Sequence, residues 1–373
     1  MTIAVVKQEP VQLLQLTSLR FFAALAVLFF HQGYLKSLDN PLKDFAVIFF
    51  NEGYSGVSFF FVLSGFILGY SYQQNIVTKT ISVKKYLLLR LSRIFPLHLF
   101  TALIFILFLF LANKLSVDFL KSTLLNLLLL QSWVSSPNYY FSLNAVSWSL
   151  SVELFFYFSF ILLVGCSTKT LIRLALVLLI VIVTLAAYII FKGGGSWTAE
   201  NGDLKLSHWV FYINPIVRSL DFITGLLIYR ISFTKVYKKY SSFNEIFSIF
   251  LLFLGTYIFS AYQFPEILRS QLLYLPLIAY VIYSFANGEG ILSKRLKGKN
   301  LVLLGEASFV LYMIHQPIIT IAFENYKKLF PTVPIIIFSI IITVVCIFTS
   351  VLIYKVIEKP IHDYLKQKIR AAT

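Results

Sequence analysis

The first apolar stretch of the chain contains two ionisable side chains, Arg20 and His31. They are eleven residues apart, which at about 100° per residue brings them to nearly the same face of a helix, roughly 16 Å apart along its axis. Ionisable groups inside a membrane span are costly and usually face a bundle interior or a wet cavity. This stripe predicts that a charged ligand enters near Arg20 and that chemistry takes place near His31. The competing interpretation is that Arg20 snorkels to the lipid headgroups while His31 only makes a hydrogen bond at the interface.

A carboxylate, Glu153, lies in the fourth apolar stretch, four residues after Ser149. We place it about two turns below the outer end of its helix, at a depth that reaches His31. A neutral imidazole can take a proton from a hydroxyl group, and a buried carboxylate can orient or polarise that imidazole. The pattern predicts a catalytic set of His31, Glu153 and Arg20, with Ser149 lining the same cavity. Alternatively, Glu153 is a structural partner for Arg20 or Arg218.

Two further arginines, Arg90 and Arg93, lie one helical turn apart just before the third predicted span. Guanidinium groups on one face can grip a phosphate group through paired hydrogen bonds. Coenzyme A carries a 3′-phosphate and a pyrophosphate, and it would need such a basic dock on the cytoplasmic side. The pair predicts a phosphate-binding site, and the alternative is that these basic residues beside a span only set topology or contact anionic lipid.

Other polar residues in the apolar stretches suggest supporting roles. Arg218 and Asp221 are three residues apart, which permits an ion pair on one helix face, and we assign them a structural role. Tyr312 and His315 follow helical spacing near the outer end of the ninth span and are predicted to line the cavity or the acceptor entrance. Ser64 belongs to a segment of small residues that allows close approach of a helix or a thin ligand, and ordinary helix packing is the alternative.

Membrane-spanning helices must position these side chains, because the chain is too apolar for a soluble core. Of its 373 residues, 58% are hydrophobic and 13% are charged, whereas soluble domains have about 25% charged residues. Many stretches approach or exceed the roughly 20 apolar residues that a transmembrane helix needs. We predict an all-α fold with about ten transmembrane helices near residues 16–35, 54–74, 95–112, 145–165, 171–191, 208–229, 243–263, 269–286, 301–323 and 333–355. The stretch 119–130 is predicted to be a loop or an amphipathic or re-entrant helix.

Basic residues indicate how these helices cross the membrane. The net charge of +16 forms no continuous stripe, which argues against nucleic acid as a partner. Lys and Arg gather in alternate loops and after Tyr354, as expected for the cytoplasmic side, so both termini are predicted to be cytoplasmic. The basic loops hold Lys79, Lys84, Lys85, Arg90 and Arg93; Lys169 and Arg173; Arg230, Lys235, Lys238 and Lys239; and Lys294, Arg295, Lys297 and Lys299. The predicted outer loops balance their lysines with Asp39, Asp44, Glu52, Glu200 and Asp203, and only Lys327 and Lys328 fit poorly.

The chain is predicted to be a single membrane domain. Cys166 and Cys346 each lie within or beside an apolar run, which predicts neither a disulfide framework nor a metal cluster. The sequence shows no second soluble domain, repeat or low-complexity linker. Residues 1–373 are therefore expected to form one unit, with spans from about 16 to 355 and a short cytoplasmic tail, and any catalysis must be built among the helices.

Several motifs, in their order, resemble acyltransferase family 3, a family of integral-membrane O-acyltransferases. They are an Arg, ten residues and a His in the first span; Phe-Phe-Val-Leu-Ser-Gly-Phe in the second; Arg-x-x-Arg before a Pro; and Trp-Ser-Leu-x-x-Glu. The resemblance extends to Tyr312-Met-Ile-His315 and to the closing Ile357-Glu358-Lys359-Pro360, so that it covers nearly the whole chain.

The resemblance implies transfer of an acyl group, usually acetyl, from acyl-coenzyme A to a hydroxyl of a cell-surface polysaccharide or glycolipid sugar. His31 would have the central catalytic role with Arg20 as its partner, Arg90 and Arg93 would bind the donor, and Glu153 matches the acidic position of the family. Acyl-coenzyme A is a co-substrate, and no permanently bound cofactor or metal is expected. The expected location is the bacterial inner membrane, in contact with lipid.

Three alternatives stay open at this point. Intramembrane Arg, His, Glu and Asp also suit a proton-coupled transporter or flippase of a glycan precursor. A non-catalytic membrane partner in polysaccharide assembly and an enzyme that acylates a small molecule are the other two. Within the enzyme hypothesis, His31 either activates the acceptor hydroxyl directly or carries the acyl group transiently.

Overall fold

Helices make up most of the part of the chain that the structure, a computed structural model, describes: residues 12–37, 41–111, 117–199, 201–232, 240–329 and 332–372. Within these ranges the only extended pairing is an isolated bridge between Thr198 and Leu204. The longer helices are α1 (Leu14–Phe30), α2 (Gly56–Val77), α3 (Val83–Leu111), α4 (Val117–Leu127), α5 (Trp148–Leu163), α6 (Thr168–Phe191), α7 (Pro215–Ser232), α8 (Ser241–Ala261), α9 (Tyr274–Ala286), α10 (Lys299–Glu324), α11 (Ile335–Ile353) and α12 (Lys359–Ala372).

Most of these helices are long and apolar enough to cross a membrane. Nine such stretches occur among the described residues, and α1, with 17 residues, is a shorter apolar helix beside them. The prediction of an all-α, multi-pass membrane protein with about ten spans is confirmed. Several residues behind the predicted sidedness lie outside the described residues, namely Asp39, Glu200, Lys235, Lys238 and Lys239. The cytoplasmic location of both termini stays a prediction.

Helix α3 differs from its predicted extent. It begins at Val83 instead of residue 95, so that Arg90 and Arg93 lie inside the helix and not before it. The predicted span included only the apolar part of this helix and missed the more polar turns that precede it. Both guanidinium groups are therefore carried by a rigid helix of the bundle and not by a loop.

Helix α3 continues through a proline, Pro96, without ending. A proline lacks the N–H that would donate to the carbonyl of Ser92 one turn earlier. The Nδ1 atom of His362, on α12, lies 3.4 Å from this carbonyl oxygen. The C-terminal helix therefore supplies a partner for the carbonyl that the proline leaves free, and it joins α12 to α3.

The C-terminal region is helical where the sequence predicted only a tail. The chain passes from α11 through a wider π-helical turn, Tyr354–Glu358, into α12, which packs against α3. Helix α4 similarly falls in the stretch 119–130, where a loop or a helix was predicted, and the helical alternative is confirmed.

Two glycines let α2 and α7 cross at very short range. A Cβ atom on Gly65 would lie 2.0 Å from the main-chain oxygen of Phe222, and one on Gly225 would lie 1.9 Å from that of Val62. Since no side chain fits there, each glycine is required by the close approach of the two backbones. Ordinary helix packing thus accounts for Gly65, whereas Ser64 beside it faces a cavity.

Glu52, which the sequence placed in an outer loop, is buried in the helical stretch that precedes α2. It forms an ion pair with Arg269 and accepts hydrogen bonds from the hydroxyl groups of Tyr54, at 2.9 Å, and Tyr274, at 3.0 Å. A buried carboxylate needs such partners, because desolvation is otherwise too costly. This cluster joins the start of α2 to α9.

Candidate active site

A cavity of about 150 Å³ lies between helices α1, α2, α3, α5 and α10. Most of the predicted site residues meet at its wall, although they come from five different helices. The polar lining residues are Arg20, Ser64, Arg90, Arg93, Ser149, Glu153, Tyr157 and Tyr312. The rest of the wall is apolar and includes Val57, Phe60, Phe61 and Phe309.

The cavity is an elongated slot. Its lining residues run from Val57 to Leu68 on α2 and from Ser149 to Tyr157 on α5. With a rise of about 1.5 Å per residue, these stretches correspond to roughly 16 Å and 12 Å along the two helices. The volume is small for this length, so the slot suits a thin, extended ligand.

One end of the slot is cationic. Arg90 donates a hydrogen bond of 2.7 Å to the hydroxyl of Tyr72, and Arg93 forms an ion pair with Glu358. Arg20 lies within electrostatic range of Arg93 and Glu358 but makes no hydrogen bond or ion pair with any described residue. All three guanidinium groups line the slot, and that of Arg20 is available for an anion.

Glu153 is the only carboxylate among the described residues that line the slot. It accepts a hydrogen bond of 2.7 Å from the hydroxyl of Tyr157, one turn further along α5. It also lies within electrostatic range of Arg20, but the two groups form no hydrogen bond or ion pair, so the alternative that they are structural partners stays a prediction. The predicted pairing of Glu153 with His31 is not formed in this structure.

His31 instead faces a second histidine. Its Nδ1 atom lies 3.1 Å from Nε2 of His315 and 2.9 Å from the main-chain oxygen of Val27. The Nδ1 atom of His315 lies 3.1 Å from the main-chain oxygen of Leu311. His315 is fully buried and His31 is partly buried. We refer to His31 and His315 as the histidine pair.

Tyr312 connects the slot to the histidine pair. Its hydroxyl donates to Ser149 Oγ at 2.9 Å and also lies 3.2 Å from the main-chain oxygen of Val146. The centroid of its ring lies 5.9 Å from that of the His315 ring. Because His315 follows Tyr312 by three residues on α10, the histidine pair lies about one turn beyond the slot. Tyr312 lines the cavity as predicted. His315 is not among the lining residues and contacts His31 instead.

Arg218 and Asp221 form the predicted ion pair away from the slot. The Nε atom of Arg218 lies 3.1 Å from Asp221 Oδ2, and both side chains are completely buried. Arg218 also donates to Ser58 Oγ at 2.7 Å and to the main-chain oxygen of Ser270 at 3.0 Å. These contacts join α7 to α2 and to the segment before α9, as a structural role requires.

Three residues at the site were missed by the sequence predictions. Tyr157 follows Glu153 by four residues, a spacing that places both on one helix face and would have indicated the contact. Glu358 was noted only as part of the closing motif, and nothing local links it to Arg93. Tyr72 carries no signal in the sequence, because its contact with Arg90 depends on how α2 packs against α3.

The fold and the site define a multi-pass membrane protein with a slot that is lined by arginines at one end and by Tyr312, one turn before a histidine pair, at the other. The chain belongs to acyltransferase family 3, since the family model described as "Acyltransferase domain" matches residues 13–355. It is similar to "Acyltransferase MdmB" of Streptomyces mycarofaciens, with 28% identity over 377 residues that cover 97% of this chain and 95% of that protein. No solved structure matches the chain.

Proposed function

We propose that the protein transfers an acyl group, acetyl in the simplest case, from acyl-coenzyme A to a hydroxyl group of an acceptor. The slot is the observation that carries this proposal. It is cationic where the phosphates of a donor would bind, narrow along its length, and adjacent to the histidine pair at its far end. The family supports acyl transfer but leaves the donor and the acceptor open.

The charges at the cationic end support donor binding there. Arg20 has no partner among the described residues, Arg90 has only a neutral one, and Arg93 has Glu358. Phosphate groups would supply these guanidinium groups with charge-assisted hydrogen bonds. In this proposal the narrow slot guides the pantetheine arm, and the nucleotide stays at the cationic end, which we expect to be the cytoplasmic one. The thioester then lies toward Tyr312 and the histidine pair.

The reaction requires His31 to take one proton from the acceptor and to give one proton to the leaving group. His31 takes the proton of the acceptor hydroxyl, and the oxygen attacks the thioester carbonyl. A carbon–oxygen bond forms, the carbon–sulfur bond breaks, and the thiolate of coenzyme A takes the proton from His31. If His31 instead carries the acyl group, the same bonds change in two steps. Tyr312 lines the slot one turn before His315, so we expect the thioester to pass beside its ring on the way to His31.

The proposed acceptor is a sugar hydroxyl of a cell-surface polysaccharide or glycolipid, at the outer side of the bacterial inner membrane, and a small molecule is the alternative. Family membership favours the enzyme over a transporter or flippase. A proton-coupled transporter would need buried ionisable residues that are free to exchange protons. Here Glu52 and Asp221 are instead held in ion pairs by Arg269 and Arg218.

The proposal is tested by release of free coenzyme A from acyl-coenzyme A by the purified protein in lipid vesicles, with and without a surface-glycan extract. We expect His31→Ala to reduce acceptor-dependent release by about 10²–10⁴-fold, the usual contribution of a general base. Arg90→Ala combined with Arg93→Ala should raise the donor KM, by about tenfold or more for each lost charged hydrogen bond. Arg173→Ala, which removes an exposed arginine of α6, is the matched control and should change neither.

Full turnover by folded His31→Ala would refute its role as base or acyl carrier. Binding of acyl-coenzyme A without turnover on any glycan would refute the polysaccharide acceptor and favour a small molecule. Absence of acyl-coenzyme A binding by the folded protein would refute the donor, and movement of a glycan precursor without acyl-coenzyme A consumption would favour the transporter.

A further inference from the structure

The contacts of the histidine pair determine where its protons lie. The Nδ1 atom of each ring is within hydrogen-bonding distance of a main-chain oxygen, Val27 O for His31 and Leu311 O for His315. A carbonyl oxygen can only accept, so Nδ1 must be the protonated nitrogen in both rings. A neutral imidazole has one N–H, which leaves Nε2 of each ring as a lone-pair acceptor.

This assignment fits the contact between the two rings. Nε2 of His315, which has no proton, lies 3.1 Å from Nδ1 of His31, which has one. The N–H of His31 is therefore shared between Val27 O and His315 Nε2 in a bifurcated, three-centre arrangement. The opposite direction, with His315 donating, would point the bare Nδ1 of each ring at a carbonyl oxygen, and both contacts would be repulsive.

We propose that His315 is a positioning residue that holds His31 with its proton on Nδ1 and its reactive lone pair on Nε2. This inference deepens the proposed function and rests on it for the reaction itself. When Nε2 of His31 takes the acceptor proton, the ring becomes an imidazolium ion. Its Nδ1–H then donates to two acceptors, one of them the neutral lone pair of His315, which stabilises the new positive charge. When Nε2 returns the proton to the thiolate of coenzyme A, both rings regain their starting state.

In other hydroxyl-activating sites a carboxylate accepts the N–H of the catalytic imidazole. In this protein His315 has that role, and Glu153 does not. Glu153 is bound to Tyr157, while His315 is the side chain that contacts His31. A neutral partner suits this buried position, since an unpaired carboxylate there would carry a large desolvation cost. Helices α1 and α10 pack closely, with Gly305 against the main chain of Thr17, and His31 follows directly after α1.

The first test compares two substitutions of similar size. His315→Gln retains an oxygen that can accept from His31, whereas His315→Met fills the space without a comparable acceptor. We expect His315→Met to reduce kcat by roughly ten- to a hundredfold, the effect of one hydrogen bond to a charged group, with the donor KM unchanged. His315→Gln should recover most of this loss. Equal kcat losses in both folded variants, or none in either, would overturn the inference.

The second test reads the proton positions without any turnover. The chain has 5 histidines, so ¹⁵N-histidine labelling in lipid gives few signals, and His31→Ala identifies the one that belongs to His31. We expect a protonated Nδ1 and a bare Nε2 at His31, and a response of its Nδ1 signal to His315→Met. A protonated Nε2 at His31, or no response, would overturn the inference. Failure of the donor proposal would appear separately, as absence of acyl-coenzyme A consumption by the unmodified protein.

Discussion

Substitution of Arg218 by leucine should destabilise the fold while leaving the chemistry of correctly folded molecules intact. The guanidinium group is completely buried, pairs with Asp221 at 3.1 Å, and donates to Ser58 and to the main-chain oxygen of Ser270. Arg218→Leu removes all three contacts and leaves the carboxylate of Asp221 buried with only the amide of Gln271 as partner. Removal of one member of a buried pair costs about 3–5 kcal/mol of the free energy of unfolding.

Arg218→Leu combined with Asp221→Leu leaves no unpaired charge at this site, and apolar replacement of a whole buried pair is often close to neutral. We expect the double variant to recover more than half of the stability that Arg218→Leu loses. Such recovery would show that the cost of Arg218→Leu comes mainly from leaving the buried charge of Asp221 without a partner.

The assay is denaturant unfolding in detergent micelles, followed by tryptophan fluorescence, together with coenzyme A release per folded molecule. Arg173→Leu, which removes an exposed arginine, is the matched control and should cost less than about 1 kcal/mol. A loss below about 1 kcal/mol for Arg218→Leu would refute the buried-pair argument. A large fall in kcat with unchanged stability would place Arg218 in the catalytic machinery instead.

Three other substitutions test the slot and the helix packing. Glu358→Gln should lower the donor KM several-fold, because it frees Arg93 for phosphate; a higher donor KM would show that Glu358 positions this guanidinium for the donor. Gly225→Ala should cost about 1–3 kcal/mol in unfolding free energy, because its Cβ would lie 1.9 Å from a main-chain oxygen, whereas Gly165→Ala, with open space around its Cβ, should be neutral. Glu153→Gln should lower kcat/KM for the donor while the protein stays folded, and unchanged kinetics would limit this carboxylate to a structural role.

Local spacing was sufficient for much of the architecture. Long apolar stretches predict helices across a membrane wherever they occur, because each helix satisfies its own backbone hydrogen bonds and needs no information from the rest of the chain. The same holds for contacts within one helix. Arg218 and Asp221, three residues apart, were predicted as a pair from spacing, and Glu153 with Tyr157, four apart, was predictable in the same way.

Contacts between helices could not be derived from spacing. His31 meets His315, and Arg93 meets Glu358, across 284 and 265 positions of the chain. An ionisable residue in a span indicates that it faces the bundle interior, but not which of several helices lies opposite. For that reason the sequence paired His31 with Glu153, the nearest chemically sensible partner, and the structure pairs it with His315.

The sequence by itself determined the class of fold, the span count, and the set of helices that carry ionisable side chains, since hydropathy and the 3.6-residue period are properties of short segments. The tertiary structure alone decided which of those side chains meet. The close crossing at Gly65 and Gly225 sets how α2 lies against α7, and the π-helical turn before α12 brings Glu358 to Arg93. The slot and the histidine pair exist only after such long-range packing is complete, because their walls come from helices far apart in the chain.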